Sequence, residues 1–553
     1  MNSCESGEEK DFSTPNKKFK HIFNREFNRL FPFGFKYDFK ILFLSAIPLI
    51  LNQISQTFLP IISLFFCGHI GSSELAAVTI ANTFINIGSF SVLVGLCSAC
   101  DTLLPQIFGG FNKKKVGLVL QKGLIISFLS CFPTSGVLLN VKNVMQFFIK
   151  ETEVIELADQ YIITYLPAII FYSFHVVLQR YVLSQNIFYP ILAINILANI
   201  LDALLHYLFV IHFNYGVVGA AFSVVLANFF ILVSVVIYII YTKMYNLTWS
   251  GWSKECLADW TEYLKLAIPG FAMLFFGLAN FEIGVIAAGN LGREGISIMS
   301  IGIQTTYIAF MIPLGISISA NIRIGQLLGE NSPELAKNCC KVAYAFGGCA
   351  SFLTCLVIYS SSNIIPTAFT NEKKIIDEAA VLLKFLSFAH LMDALQGVGG
   401  GVLKAMGAQM YGFMMVLVSL YCFGIPLGIM LMLRTQYKVL GYWIGYLVGA
   451  TILIGLQIAF IGLVNWSKKA EIAFNQSLKS SETESIIKDA NSNYDQNITI
   501  VTPLLNRQTK NFTLILMKKA LSIIIIISTF FALVFTRLVF VIDDEKEKID
   551  LKY

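Results

Sequence analysis

Runs of about twenty apolar residues recur along the whole chain, and no other feature restricts its folding so much. A helix needs that length to cross about 30 Å of hydrocarbon. The runs lie near residues 41–66, 75–101, 116–139, 156–181, 188–211 and 216–241, then 263–288, 295–320, 339–362, 378–404, 411–433 and 440–465, with one more near 515–542. In lipid every backbone amide must find its partner internally, which leaves helices or a closed barrel. A barrel strand alternates polar and apolar residues, whereas stretches such as "SIIIIISTFFALVF" do not. The composition agrees: 56% of the 553 residues are hydrophobic and 13% are charged, against about 25% charged in a soluble domain. The sequence therefore predicts an all-α integral membrane protein of thirteen spans.

Charge orients the spans. Residues 1–40 precede any apolar run, hold eight Lys or Arg and six Asp or Glu, and show no cleavable signal pattern. This segment is expected in the cytosol. The Lys113–Lys115 run, Lys243 and the Lys468, Lys469 pair then also fall inside, as the positive-inside rule asks, while Arg434 and Lys438 fall outside. The polar, Ser/Asn-rich stretch 467–511 reads as a disordered cytosolic linker, and 512–553 as a thirteenth span with an extracellular carboxyl terminus. Eleven cysteines, most inside apolar runs, argue against a disulfide framework. Cys97 and Cys100 have redox-motif spacing but read as small packing residues. A net charge of +6 spread over loops gives no reason to expect a nucleic-acid partner.

The chain repeats itself. Ala46-Ile47-Pro48 returns as Ala267-Ile268-Pro269, Gly71 as Gly292, Ile80 as Ile301, Phe148 as Phe369 and Ala158 as Ala379, all at an offset of 221. Gly95, Gln106 and Gly109 return as Gly315, Gln326 and Gly329 at an offset of 220, a slip of one residue. A near-constant offset across separated helices marks a duplication. It divides the chain into an N-lobe (41–242), an inter-lobe cytosolic loop (243–262) and a C-lobe (263–466). Six spans per half give both halves the same orientation, so the expected pseudo-twofold axis runs along the membrane normal. Alternating-access transporters are built this way, although single-chain channels duplicate too.

The stretches "FCGHIGSSELAAVT", "GLCSACDTLLPQIFG", "LKLAIPG", "FMIPLGISISANIRIGQLLG" and "GGGVLKAMGAQ" resemble those of the multidrug and toxic compound extrusion (MATE) family in its eukaryotic, animal branch. The resemblance covers about residues 41–465. It implies a V-shaped pair of six-helix lobes around a central cavity, and export of small organic cations in exchange for protons, by a monomer expected at the plasma membrane. It implies no cofactor. Neither a metal-ligand cluster, a nucleotide loop nor a nucleophile–base triad stands out in the sequence, so no enzymatic activity is expected.

Ionisable groups within the spans are the candidates for that exchange. A carboxylate in low dielectric takes up a proton or pairs with a cation. Asp393 lies near the middle of the tenth span, with His390 three residues before it on the same face, and its position matches a carboxylate that the family uses. The alternative for Asp393 is a sealed hydrogen-bond network between helices. Glu282 on the seventh span also matches a family glutamate; its alternative is pairing with Arg293 at the outer end. Gly277 and Gln304 stand where relatives carry further glutamates, a departure that puts cation range and stoichiometry in question. In the N-lobe, Asp202 and His206 are four apart on the fifth span and form a plausible proton relay. Asn86 and Tyr307 are weaker candidates, as a cavity-wall amide and an aromatic face for a cation. Phe275 and Phe276 share the latter reading.

Two rival functions remain at this level: a lipid-linked oligosaccharide flippase of the same superfamily, which would call for a basic cavity, and a sensor that kept a transporter scaffold. Asp101, in "GLCSACDTLLPQIFG", falls at the cytosolic end of the second span, and Asn321 is its repeat partner. That pairing predicts a position needing polarity but not charge, used for capping or inter-lobe hydrogen bonding. All four Asn-x-Ser/Thr sequons, at Asn246, Asn475, Asn497 and Asn511, are expected on the cytosolic side. Endoglycosidase treatment should accordingly leave the electrophoretic mobility unchanged; a shift would move at least one of these segments to the other face.

Overall fold

The structure, a computed structural model, describes residues 35–149 and 151–478. Among them are twelve long helices and no strands. They are α1 (Phe35–Ile70), α2 (Ser72–Gly109), α3 (Lys115–Leu139), α4 (Thr152–Leu183), α5 (Tyr189–His212) and α6 (Gly216–Thr242) in the first half. The second half holds α7 (Thr261–Ala288), α8 (Gly292–Gly329), α9 (Pro333–Ser361), α10 (Lys373–Ala405), α11 (Gln409–Arg434) and α12 (Lys438–Leu463). Among the described residues ten helical stretches are long and apolar enough to cross a bilayer, and one of these, Thr261–Gly329, contains both α7 and α8. Helix α10 is not among them, because Lys373, Lys374, Asp377, Glu378, Lys384, His390 and Asp393 dilute its apolar surface.

One expectation is corrected. The stretch 467–511 does not begin as a disordered linker: Trp466–Leu478 is a helix, α13. Its buried face is Trp466, Ala470, Ala473 and Ser477, a helical spacing made mostly of small residues in a polar background. The thirteenth apolar run and the rest of 479–553 lie outside the described residues, as do residues 1–34.

Four hydrophobic clusters show how the two halves meet. Two lie toward the end of the molecule away from the Lys113–Lys115 turn, and each belongs to one half alone. The first joins Cys67, Ala77, Leu138, Ile162 and Val217; the second joins Ala288, Met299, Leu386, Met432 and Trp443. The other two lie toward the basic end and are shared. Tyr263 and Ala267 of α7 enter the N-lobe cluster around Leu104 and Val177, and Leu42 and Ala46 of α1 enter the C-lobe cluster around Leu327 and Val402. Each half thus lends the start of its first helix to the other. Both crossing helices carry an internal proline of the repeated Ala-Ile-Pro motif, Pro48 and Pro269, where a lost amide donor lets the helix bend.

The repeated frame makes the seam. A Cβ on Gly95 would strike the backbone of Phe271, and one on Gly315 would strike that of Ile50; Ile50 and Phe271 are themselves repeat partners. Lower down, Gly109 lies against the backbone of Gln326, and Gly329 against that of Gln106. The glutamines cross. Gln106 Nε2 of the N-lobe donates to the Ala405 carbonyl at the end of α10 (2.6 Å), and Gln326 Nε2 of the C-lobe donates to the Ser184 carbonyl at the end of α4 (2.9 Å). Each satisfies a helix-end carbonyl that has no partner within its own helix. Just beyond these ends, Asn186 and Gly407 are again repeat partners and share a left-handed backbone, φ 62° and φ 63°.

The slip from 221 to 220 has a structural cause. Between Ile80 and Gly95 the N-lobe has one residue more than the C-lobe has between Ile301 and Gly315, and there α2 passes through a π-helical turn, Asn86–Phe90. A π turn absorbs a single inserted residue inside an α-helix. The corresponding part of α8 is uninterrupted α-helix.

Gln106→Leu and Gln326→Leu should each leave a buried carbonyl unpaired at the seam and lower unfolding stability by about 1–3 kcal/mol. Thermal unfolding of the purified protein in one membrane mimetic checks this, and similar losses in the two variants are expected from their equivalent places.

Candidate functional site

Asp393 lies 12 residues before the end of α10, about 18 Å from the basic end at the rise of an α-helix. It is 4% exposed. Its Oδ1 accepts from the Tyr446 hydroxyl of α12 (2.6 Å) and from Gln396 Nε2 one turn along α10 (2.9 Å). The Tyr446 ring is held between Phe281 (centroids 5.5 Å apart) and Trp443 (5.6 Å). His390 shares the Asp393 face, is 1% exposed, and neither ring nitrogen has a hydrogen-bond partner. The carboxylate is therefore enclosed by the C-lobe, not spread on a cleft surface. A proton can reside on it, whereas direct contact with a bulky ligand requires Tyr446 or Gln396 to move.

Glu282 follows Phe281 on α7, six residues before the end of that helix, and is half-buried. Among the described residues it has no ion pair. The expected alternative partner, Arg293, instead approaches Glu372 at 4.0 Å on the exposed surface. Gln304 is exposed on α8. Tyr307, one turn on, keeps 46% of its surface accessible and lies within electrostatic range of Tyr172 of α4 in the other lobe. An accessible side chain within range of the other lobe faces toward that lobe. The Tyr172 ring lies tilted against Phe90 (centroids 5.3 Å apart) at the end of the π turn, and Asn86, exposed at the start of that turn, is the repeat counterpart of Tyr307. The structure thus brings Asp393 and His390 together, sets Tyr307 across from the N-lobe wall, and keeps Asp202 and His206 apart from both in the other lobe.

In the N-lobe the Asp202 and His206 side chains are fully buried. His206 Nδ1 is 3.3 Å from Asp202 Oδ1 and 2.8 Å from the Asp202 carbonyl, while Nε2 is 2.9 Å from Ser63 Oγ of α1. Ser63 was not singled out in the sequence, nor was the polar ladder it terminates. Asn195 Nδ2 donates to Asn52 (2.5 Å), Asn199 Nδ2 to Ser55 Oγ (2.6 Å), and Gln56 Nε2 to Gln179 (3.2 Å). The signal was present, since Asn195, Asn199, Asp202 and His206 step along α5 at intervals of four, three and four, one polar stripe on a helix.

Asp101 differs from its expected role. Its charge is used: Oδ1 is 3.0 Å from Arg180 Nε in the same lobe, and Oδ2 is 3.5 Å from Lys404 Nζ across the seam. Thr102 Oγ1 adds a bond to the Lys404 carbonyl (2.6 Å). The repeat partner Asn321 leaves its buried Oδ1 without a partner, so the duplication is chemically asymmetric here. The position carries an inter-lobe ion pair rather than a neutral hydrogen bond.

A buried polar group without a partner lowers stability by about 1–3 kcal/mol. Replacing His390 by Phe, of similar shape, should therefore leave the thermal stability unchanged or raise it; a marked fall would reveal a partner that this arrangement lacks.

The comparisons follow the same division of the chain. The MatE family profile matches residues 48–208 and 269–430, one match per half. Multidrug and toxin extrusion protein 1 of Oryctolagus cuniculus is 34% identical over 439 residues, 79% of this chain and 77% of the relative. The Homo sapiens protein of that name is 32% identical over 440 residues, covering 80% and 77%. The crystal structure of the eukaryotic MATE transporter AtDTX14 superposes with a TM-score of 0.77 at 25% identity, over 80% of this chain and all of that one. Two six-helix halves joined by crossed, repeated contacts, with a match to each half, establish that the chain belongs to the MATE family of multi-pass membrane transporters.

Proposed function

We propose that the protein is a secondary active exporter of small organic cations, driven by proton exchange through alternating access. The observation that carries this reading is the enclosed carboxylate of Asp393, set in the C-lobe at about the level where the seam passes Gly95 and Gly315. The printed names of the relatives, multidrug and toxin extrusion proteins, support the substrate class.

In this reading the residues divide the labour. Asp393 holds the proton, with Tyr446 and Gln396 as donors to its charged form and His390 beside it. Glu282, Gln304, Tyr307 and Asn86 supply an accessible wall where a hydrophobic cation meets a carboxylate and an aromatic face. A proton on Asp393 and a cation beside Glu282 then disfavour each other through their like charge, so binding of one promotes release of the other and exchange follows by linkage. Asp202, His206 and Ser63 form a second proton-handling group in the N-lobe. Gln304 orients a ligand but carries no proton, consistent with fewer exchangeable acids than the family pattern provides.

In this reading residues 41–242 and 263–466 are the two moving lobes, and the basic end, with its Lys113–Lys115 turn, faces the cytosol. The amino terminus is then cytosolic, and the far end, where the hydrophobic clusters stay separate, opens outward. The protein acts as a monomer in the plasma membrane.

The test is flux of a radiolabelled organic cation into reconstituted vesicles under an imposed pH gradient. Asp393→Asn, inserted in the membrane at normal levels, should reduce flux roughly tenfold or more, a barrier change of at least about 1.4 kcal/mol. Robust proton-driven flux in that variant would remove Asp393 from the mechanism. Flux driven by a sodium gradient and not by protons would overturn the coupling ion.

A further inference from the structure

Helix α13 lies across the seam at the basic end and holds the two lobes in different ways. Toward the C-lobe it is packed: Trp466, Ala470 and Ala473 belong to the cluster of Ala336, Cys339 and Cys340. Trp466 Nε1 donates to the Ile461 carbonyl (3.1 Å) and Lys469 Nζ to the Met406 carbonyl (3.1 Å). Toward the N-lobe its last turn makes the hydrogen bonds. The Phe111 amide donates to Ser477 Oγ (3.3 Å), and Lys115 Nζ donates to the Gln476 carbonyl.

The place of that last turn is specific. Gly110, against which it sits, directly follows Gly109, whose bare Cα lets α2 lie on Gln326 of the other lobe. A Cβ on Gly110 would strike Ser477 Cβ and Oγ. Its backbone, φ −80° and ψ −171°, is open to any residue, so the close approach of α13 is what the missing side chain serves. Parting of the lobes at this end separates α2 from α8 at Gln106, Gly109, Gln326 and Gly329. Helix α13, fixed to the C-lobe by its apolar face, then loses Ser477 and Gln476 from the N-lobe.

We infer that α13 is a latch: its last turn bolts the Gly110–Lys115 segment to the C-lobe, and its release precedes opening of the basic end. The inference rests on the proposed alternating access only in assuming that this end opens. It makes the residues joining the lobes to the carboxyl-terminal segment a control on how often the cavity faces the basic side.

The native thiol of Cys100 reports the opening, because it is buried in the seam beside Asp101, Arg180 and Ile318. The experiment measures alkylation of Cys100 by a polar maleimide, read by mass spectrometry, on the full chain in nanodiscs with neither substrate nor pH gradient. Failure of proton coupling therefore leaves the readout intact. Gly110→Ala, which displaces Ser477, and Lys115→Met, which frees Gln476, should each speed labelling about two- to tenfold, the equivalent of one or two lost hydrogen bonds. Lys114→Met, on the same turn, should leave it unchanged. Unchanged labelling in both latch variants, or an equal rise in Lys114→Met, overturns the latch. So does a parallel rise at Cys131 and Cys355, buried away from the seam, since that would mean general loosening.

Discussion

Two glutamine side chains, each reaching out of its own lobe to cap a helix in the other, are the contact on which the arrangement of this molecule depends. The contact is short range and directional, so it holds the lobes in one register at one end. It also demands close backbone approach, which is why the glycines beside it cannot carry side chains. With that end fixed, the apolar surface each lobe buries at the far end is its own, and nothing there needs the other lobe. The two lobes are joined only as far as the shared core extends.

The interior of each lobe has a second constraint, the cost of polarity in hydrocarbon. In the N-lobe, α1 and α5 are joined by Asn195 to Asn52, Asn199 to Ser55 and His206 to Ser63, yet both carboxylate oxygens of Asp202 and the amide oxygen of Asn199 accept no hydrogen bond. The C-lobe leaves His390 and the Trp443 indole without partners while Asp393 has two donors. Neither lobe completes its polar network, and an incompletely satisfied network is less stable than a satisfied one. The two lobes differ in where the gap lies: at the carboxylate in one, beside it in the other.

Much of this was legible in the sequence, in a patterned way. Apolar runs set the helices, and the 221-residue offset set the halves, because both are one-dimensional signals. Asp202 and His206 were visible as a pair since a helix brings residues four apart together. Tyr446 was not tied to Asp393, nor Ser63 to His206, because those distances are made by helix packing that no local spacing encodes. Asp101 was read through its repeat partner Asn321, and the inference failed where the copies had diverged. Helix α13 was missed for a compositional reason: its buried face is largely alanine and serine, which carry little hydrophobic contrast against the lysines around them.

The π turn at Asn86–Phe90 carries one further consequence. An extra residue in an unbroken α-helix would turn everything on one side of it by about 100° about the helix axis. The wider turn takes up that residue instead, so the helix on either side keeps nearly the phase of its twin. Ile80 and Gly95 therefore still correspond to Ile301 and Gly315 of α8 across the insertion. One codon gained at that place goes unfelt at the joint between the lobes, because it falls inside a turn able to widen.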